Sequence, residues 1–215
     1  MKDSWLELFS IYLEIKDSVG QRLSDFRRLK TYGSDAEIFE ELVFCLLTPQ
    51  SRARQAEKAV EILKKEHLLY KGDAQKLSSR LNVVRFKNHK AQYICDARAM
   101  FCRNEMPDIK KKIDSFAGSI ELRDWLSGNI MGIGYKEASH FVRNTGFFTD
   151  AAILDRHIIR NLNSLGVLEK AETNLTRKNY LDIEKTMKGF SNSIGIPMDY
   201  LDFVLMYKDT GDIFK

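Results

Sequence analysis

The stretch Asn129-Ile130-Met131-Gly132-Ile133-Gly134-Tyr135-Lys136-Glu137-Ala138-Ser139-His140-Phe141-Val142 constrains the fold more than any other. It reads as a helix end, a tight Gly-x-Gly turn and a new helix. Trp125-Leu126-Ser127-Gly128-Asn129, just before the turn, has helical character. A Rossmann phosphate loop needs a strand there, so a dinucleotide site is not indicated. Gly132 and Gly134 let the backbone turn without a Cβ in the way. The helix that follows at once points its free amides and positive dipole end outward, which suits a phosphate. Such a site reads no base, so its natural ligand is a nucleic-acid backbone. Taken alone, the pattern is more often a plain helix–helix turn.

The rest of the chain has the same helical texture. Leu6, Phe9 and Leu13, then Leu23 and Phe26, mark one or two amphipathic helices over residues 3–30. Ser34-Asp35-Ala36-Glu37 is a capping-box signature ahead of the apolar run Ile38 to Leu47, which reads as a core helix. Pro49 separates that run from a stripe at Ala56, Val60 and Leu63. Further stripes lie at Ala91, Ile94, Ala97 and Phe101; at Leu122, Trp125 and Leu126; at Ile158, Ile159, Leu162 and Leu165; and at Leu201, Val204 and Leu205. With only three prolines in 215 residues and no run of alternating strands, the chain reads as all-α, with about ten short helices. A strand over Val83-Val84 stays an open alternative.

The net charge of +4 is too mild to name a partner. Basic residues cluster at Arg27-Arg28-Leu29-Lys30, Arg85 to Lys90 and Lys110-Lys111-Lys112, each ordinary as a solvated face. Three cysteines, Cys45, Cys95 and Cys102, with no Cys-x-x-Cys pair, give neither a disulfide framework nor a zinc knuckle. No cysteine follows Cys102, so the C-terminal half cannot hold an iron–sulfur cluster on thiolates. The N-terminal apolar residues are interrupted by Glu7 and Glu14, which does not suit a secretory segment, and no apolar stretch is long enough to span a bilayer. A reducing, cytoplasmic setting is the expectation, with nucleoid association through DNA.

Lys136 lies at the start of the second helix of the opening stretch. Most helical lysines are simply exposed. At this place the positive helix end and a partly desolvated cleft would favour the neutral amine, which can attack a carbon of carbonyl or oxocarbenium character and form a Schiff base. Asp155, in Ile153-Leu154-Asp155-Arg156-His157, precedes a strongly periodic helix and reads as an N-cap. A carboxylate fixed at a cap stays ionised and can also stabilise positive charge on a sugar. His140 and His157 belong to no metal spacing and read as structural.

Together these features resemble the helix-hairpin-helix DNA glycosylase superfamily. Leu126, then Gly132-Ile133-Gly134-Tyr135-Lys136-Glu137-Ala138, with Asp155 nineteen positions after Lys136, carry the resemblance. Leu46-Leu47-Thr48-Pro49-Gln50 is similar to the helix end that faces DNA in that family. The longer strings Gly132 to Phe141 and Ile153 to Ile158, with the ending Leu201-Asp202, Tyr207 to Gly211 and Phe214-Lys215, resemble the type 2 8-oxoguanine DNA glycosylases.

The resemblance implies two helical subdomains flanking a DNA cleft. Residues 35–149 would form a barrel-like domain carrying the hairpin, and 1–34 with 150–215 a second one. It implies a glycosylase and AP lyase acting as a monomer on double-stranded DNA that contains 8-oxoguanine. Lys136 would be the nucleophile and Asp155 its carboxylate partner. Gly132, Ile133, Gly134 and Tyr135 would hold the DNA backbone, with Gln50 facing the DNA. Phe86 would stack on the extruded base and Lys215 would reach it; family members more commonly carry an aromatic at the position of Met206. No redox cofactor and no side-chain metal site are implied, although an alkali ion on the hairpin carbonyls would fit the family. Two other readings stay open: an endonuclease III-like glycosylase for oxidised pyrimidines, and a non-catalytic helix-hairpin-helix module. The missing four-cysteine cluster counts against the first, and the pairing of Lys136 with Asp155 against the second.

Overall fold

The computed structural model describes residues 2–147, 151–169 and 175–215, with side chains from residue 5 onward. Eleven helices account for most of them: α1 Lys2–Tyr32, α2 Asp35–Leu47, α3 Ala53–Lys65, α4 Ala74–Arg80, α5 Lys87–Phe101, α6 Lys110–Ile113, α7 Ser119–Asn129, α8 Tyr135–Asn144, α9 Arg156–Ser164, α10 Arg177–Ile194 and α11 Met198–Thr210. Among the described residues the strands are β1 Cys102–Arg103 and β2 Met106–Pro107, an antiparallel pair. Asn104 and Glu105, at positive φ, form the tight turn between them. Val83-Val84 lies in a turn and not in a strand.

Local signals set several boundaries. At the start of α2, Glu37 N–H donates to Ser34 Oγ (3.3 Å) and Ser34 N–H to Glu37 Oε2 (2.8 Å), a reciprocal cap. Gly146 ends α8 at φ +69°, and a Cβ there would fall 2.2 Å from the Phe26 carbonyl oxygen. Only glycine lets α1 cross the end of α8 so closely.

Two apolar clusters are buried. The first gathers α2, α3, α5, α7 and the Ala138, Phe141 and Val142 side of α8, between Ile38 and Ala151. The second joins α1 to Ala152, Leu154, α9, α10 and α11. The expected boundary at 149/150 lies outside the described residues.

α1 departs from its sequence reading. It is one helix of 31 residues, and its buried stripe is Leu8, Ile15, Val19, Leu23 and Phe26. Leu6, Phe9 and Leu13 are exposed, Leu6 by 67%. At about 100° per residue, 6, 9 and 13 centre about 120° round the helix from the centre of the buried stripe formed by 8, 15, 19, 23 and 26. α1 carries apolar residues on two faces, and only one meets the second cluster.

Candidate active site

The turn between α7 and α8 is pinned from below. Ile130 and Ile133 are buried in the first cluster, and Ile133 N–H closes the turn on the Ile130 carbonyl (3.1 Å). Gly132 takes φ +88°, and a Cβ on it would lie 2.4 Å from the Tyr93 ring of α5. Gly134 is the N-cap of α8 with extended backbone and no side-chain cap, so the first amides of α8 are left to an external acceptor. Tyr135 turns its ring inward, edge-on to Tyr180 (centroids 4.9 Å apart), so its ring is not part of the outer face of the turn.

Lys136 stands in the first turn of α8, its side chain 27% exposed, with Nζ 3.1 Å from Glu137 Oε1. Adjacent helical residues do not normally face each other. These two meet because side chains in a first turn lean back toward the N-terminus. Sequence reasoning passed over Glu137, and its signal is plain in retrospect: an acid beside the candidate amine.

Asp155 caps α9. Its Oδ1 accepts the His157 and Ile158 amides at 2.8 and 2.9 Å, and Oδ2 takes no hydrogen bond among the described residues. The carboxylate is therefore fixed with one oxygen to spare. Its charge is felt at Arg143 of α8 and at Asp202 of α11. Lys136 and Arg143 are in turn both felt at His140, which lies between them on α8. The lysine and the aspartate thus flank one electrostatic neighbourhood. Arg143 lies seven residues beyond Lys136, two turns along the same side of α8.

His140 is buried edge-on to Phe44, 5.5 Å between centroids, with neither ring nitrogen hydrogen-bonded among the described residues. Burial first, then the Arg143 and Lys136 charges, outweigh a weak backbone contact from Lys215 and hold its pKa well below the usual imidazole value, which favours the neutral ring.

Lys215 lies across the same region. Its Nζ donates to Glu41 and to Glu57, 2.9 Å each, and sits 4.5 Å from the Phe44 ring centre. Phe86 is elsewhere, at the N-terminus of α5. It is 52% exposed with φ +57°, a strained conformation for an aromatic. Gln50 is also exposed and at positive φ, +54°. Its loop is held from within by Lys90 of α5, which donates to the Leu47 and Pro49 carbonyls and to Ser51 Oγ at 2.7, 2.8 and 3.0 Å. Ser51 Oγ also accepts the Arg85 amide at 3.0 Å, so one residue braces the Gln50 loop against the approach to Phe86. Burial pulls the Lys90 pKa to about 8, opposed by Glu137.

The structure thus groups Lys136, Asp155, His140 and Lys215 around α8, and sets Gln50 and Phe86 together on the α2–α5 side. A profile of the 8-oxoguanine DNA glycosylase family matches residues 19–196. The chain belongs to that family. It is 43% identical over 209 residues to the 8-oxoguanine DNA glycosylase/AP lyase of Fusobacterium nucleatum, covering 97% of this chain and 96% of that one. Its fold matches the crystal structure of the 8-oxoguanine DNA glycosylase of Thermotoga maritima with a TM-score of 0.86 and 31% identity over the whole of both chains. It also matches the Methanocaldococcus jannaschii 8-oxoguanine glycosylase/lyase in complex with a 15mer DNA containing 8-oxoguanine: TM-score 0.87, 31% identity, 98% of this chain and 99% of that one.

Other polar groups of this family member escaped the sequence reading. Arg123, Glu184, Arg143, Asp202, Asn144 and Glu41 are all buried. Charges set inside apolar runs, as Glu41 within Ile38–Leu47 and Asp202 within Leu201–Leu205, were the available signal.

Proposed function

We propose that this chain is a DNA glycosylase/AP lyase that removes 8-oxoguanine from duplex DNA. The observation that carries this reading is the presence, around α8, of Lys136 at the head of a helix behind an uncapped Gly-x-Gly turn and of Asp155, a carboxylate fixed at a helix cap with one oxygen unengaged. The family membership supports the substrate.

The turn amides of α8 take the backbone phosphate while the damaged nucleotide is extruded, since its glycosidic bond is out of reach in the stack. The free amine of Lys136 attacks C1′. The new C–N bond forms as the bond from C1′ to the base breaks, and the base leaves with that electron pair. Asp155 takes the proton that the lysine must shed and faces the positive charge that builds on the sugar. Opening of the sugar ring gives the Schiff base between Lys136 and C1′. Loss of a C2′ proton then expels the 3′ phosphate and nicks the strand. Phe86 offers an exposed ring for stacking, and Lys215 a cation beside an aromatic wall for reading the base.

The two apolar clusters support a division close to 35–149 and 1–34 with 150–215, apart from Ala151, which packs in the first cluster; in this reading the DNA lies between the two and the chain acts as a monomer. In the hairpin, the carbonyls of Met131, Gly132 and Ile133 take no backbone hydrogen bond among the described residues, a set of hard oxygen donors that fits an alkali ion. Such an ion would add positive charge beside the phosphate.

The test is product analysis on three duplexes, carrying 8-oxoguanine, thymine glycol or no lesion. Release of 8-oxoguanine with strand nicking is expected on the first alone. Action only on thymine glycol would move the substrate to oxidised pyrimidines. Binding without cleavage of any of them would leave a non-catalytic module.

A further inference from the structure

Residues 151–154 lead without regular secondary structure into Asp155, and side chains from other helices hold their backbone. The Ala152 amide donates to Glu184 Oε1 (2.7 Å), the Ile153 amide to Asp202 Oδ1 (3.3 Å) and the Leu154 amide to the Tyr180 hydroxyl (3.0 Å). The Tyr180 hydroxyl in turn donates a hydrogen bond to the Ala152 carbonyl (2.6 Å). Three successive amides thus end on three buried side chains, two from α10 and one from α11. The Asp155 amide folds back on the Ile153 carbonyl (2.8 Å), so the fixed strap reaches the carboxylate directly.

Each carboxylate in this set is answered by an arginine from the hairpin. Arg123 of α7 grips Glu184 with both terminal nitrogens (2.7 and 2.9 Å) and also donates to Ser139 Oγ (3.2 Å). Arg143 of α8 donates to Asp202 at 2.5 Å, and both side chains of that pair are 4% exposed. Buried pairs of this kind add little net stability, because desolvating both charges roughly cancels their attraction. What they provide here is register. Both join the hairpin helices to α10 and α11, which pack in the second cluster with the strap. A continuous path runs from Lys136 along α8 to Arg143, across to Asp202, onto the Ile153 amide and so to Asp155, and it is buried from Arg143 to Ile153.

We propose that Asp202 and Tyr180, with Arg143 behind Asp202, are positioning residues that set the Asp155 carboxylate relative to the Lys136 amine. The proposal rests on the assignment of Lys136 and Asp155 as the reacting pair. The magnitude is large enough to measure, since a displacement of about 1 Å in a reacting group costs on the order of 100-fold in rate. Tyr180→Phe removes only the hydroxyl and keeps the ring against Tyr135. Asp202→Asn keeps the shape and one acceptor oxygen.

The experiment measures single-turnover excision of 8-oxoguanine, duplex affinity and thermal midpoint. The proteins are wild type, Asp155→Asn, Tyr180→Phe, Asp202→Asn and each of the last two combined with Asp155→Asn. Tyr180→Phe and Asp202→Asn are expected to slow excision by about tenfold or more with the affinity for the lesion duplex unchanged. In the Asp155→Asn background they are expected to add almost nothing, because the group they position is gone. If the single variants lower the thermal midpoint but excise at the wild-type rate, or if their rate losses multiply with that of Asp155→Asn, the proposal is overturned. If Asp155→Asn itself excises at the wild-type rate, the assignment of the reacting pair falls first, and the proposal with it. Should Asp202→Asn not fold, Tyr180→Phe decides alone.

Discussion

Lys215 and Asn144 share one carboxylate: Glu41 accepts the lysine on Oε2 (2.9 Å) and the Asn144 amide on Oε1 (2.7 Å). The last residue of the chain is thereby tied to α8, the helix that carries Lys136. Burial works against the Lys215 charge, but Glu41 and Glu57 outweigh it and hold its pKa above the usual lysine value. It stays a cation at any working pH. If it reads the base, Lys215→Ala should slow 8-oxoguanine excision by about tenfold or more, the worth of one charge-assisted hydrogen bond at about 1.5–3 kcal/mol. Nicking of a preformed abasic site, which has no base to read, should stay at the wild-type rate. Equal losses on both substrates would place Lys215 outside base reading.

Gly132→Ala confronts a positive φ and a ring carbon of Tyr93 at 2.4 Å. A strained residue of this kind costs about 1–3 kcal/mol. The variant should unfold at lower urea and bind undamaged duplex more weakly, because the amides of the turn lose their aim. Unchanged binding in a fluorescence titration would show that the turn does not hold the backbone.

Lys90→Met strips the donor from two carbonyls and a hydroxyl around Gln50. An orphaned buried acceptor costs about 1–3 kcal/mol. Urea denaturation should show a loss in that range, and the affinity for lesion duplex should fall as the Gln50 loop shifts. Lys90→Arg should not restore either, since a planar fork cannot meet three acceptors arranged around a point charge.

His140 predicts an acid-side slope. In the fold its pKa lies well below the ordinary value, while in the unfolded chain it returns to about 6.5. Below about pH 6.5 the unfolded chain takes up a proton that the folded one refuses. Stability therefore falls as pH drops, by up to about 1.4 kcal/mol per pH unit from this group. Above about pH 6.5 both states are neutral and the contribution is flat. Replacing the ring by Phe should remove that part of the slope in denaturation curves between about pH 5 and 7. A variant with the wild-type slope would refute the reading of His140 as a buried neutral ring.

The parts of the site visible in the sequence are those written in local signals. Two glycines, a lysine two positions after the second and an aspartate ahead of a periodic helix each state their backbone role within a few residues. The Ser34–Glu37 cap is of the same kind. What the sequence hides depends on distant partners. Arg143 and Asp202 lie 59 positions apart, and Arg123 and Glu184 lie 61 apart. Asp202 leaves only a charge in an apolar run, and Arg123 and Glu184, set among other charged residues, leave no pattern. The positive φ of Phe86 is imposed by the surrounding fold, since nothing in an aromatic residue asks for it. α1 misleads for another reason: it is apolar on two faces, and periodicity alone cannot choose between them.

The central claim is that Lys136 becomes covalently joined to the sugar. The direct measurement is borohydride reduction during reaction with an 8-oxoguanine duplex, followed by peptide mapping of the trapped adduct. The expected result is one protein–DNA adduct located on Lys136, absent in Lys136→Gln and strongly reduced in Asp155→Asn. An adduct of wild-type yield in Lys136→Gln, or one mapped to Lys90 or Lys215, would contradict it.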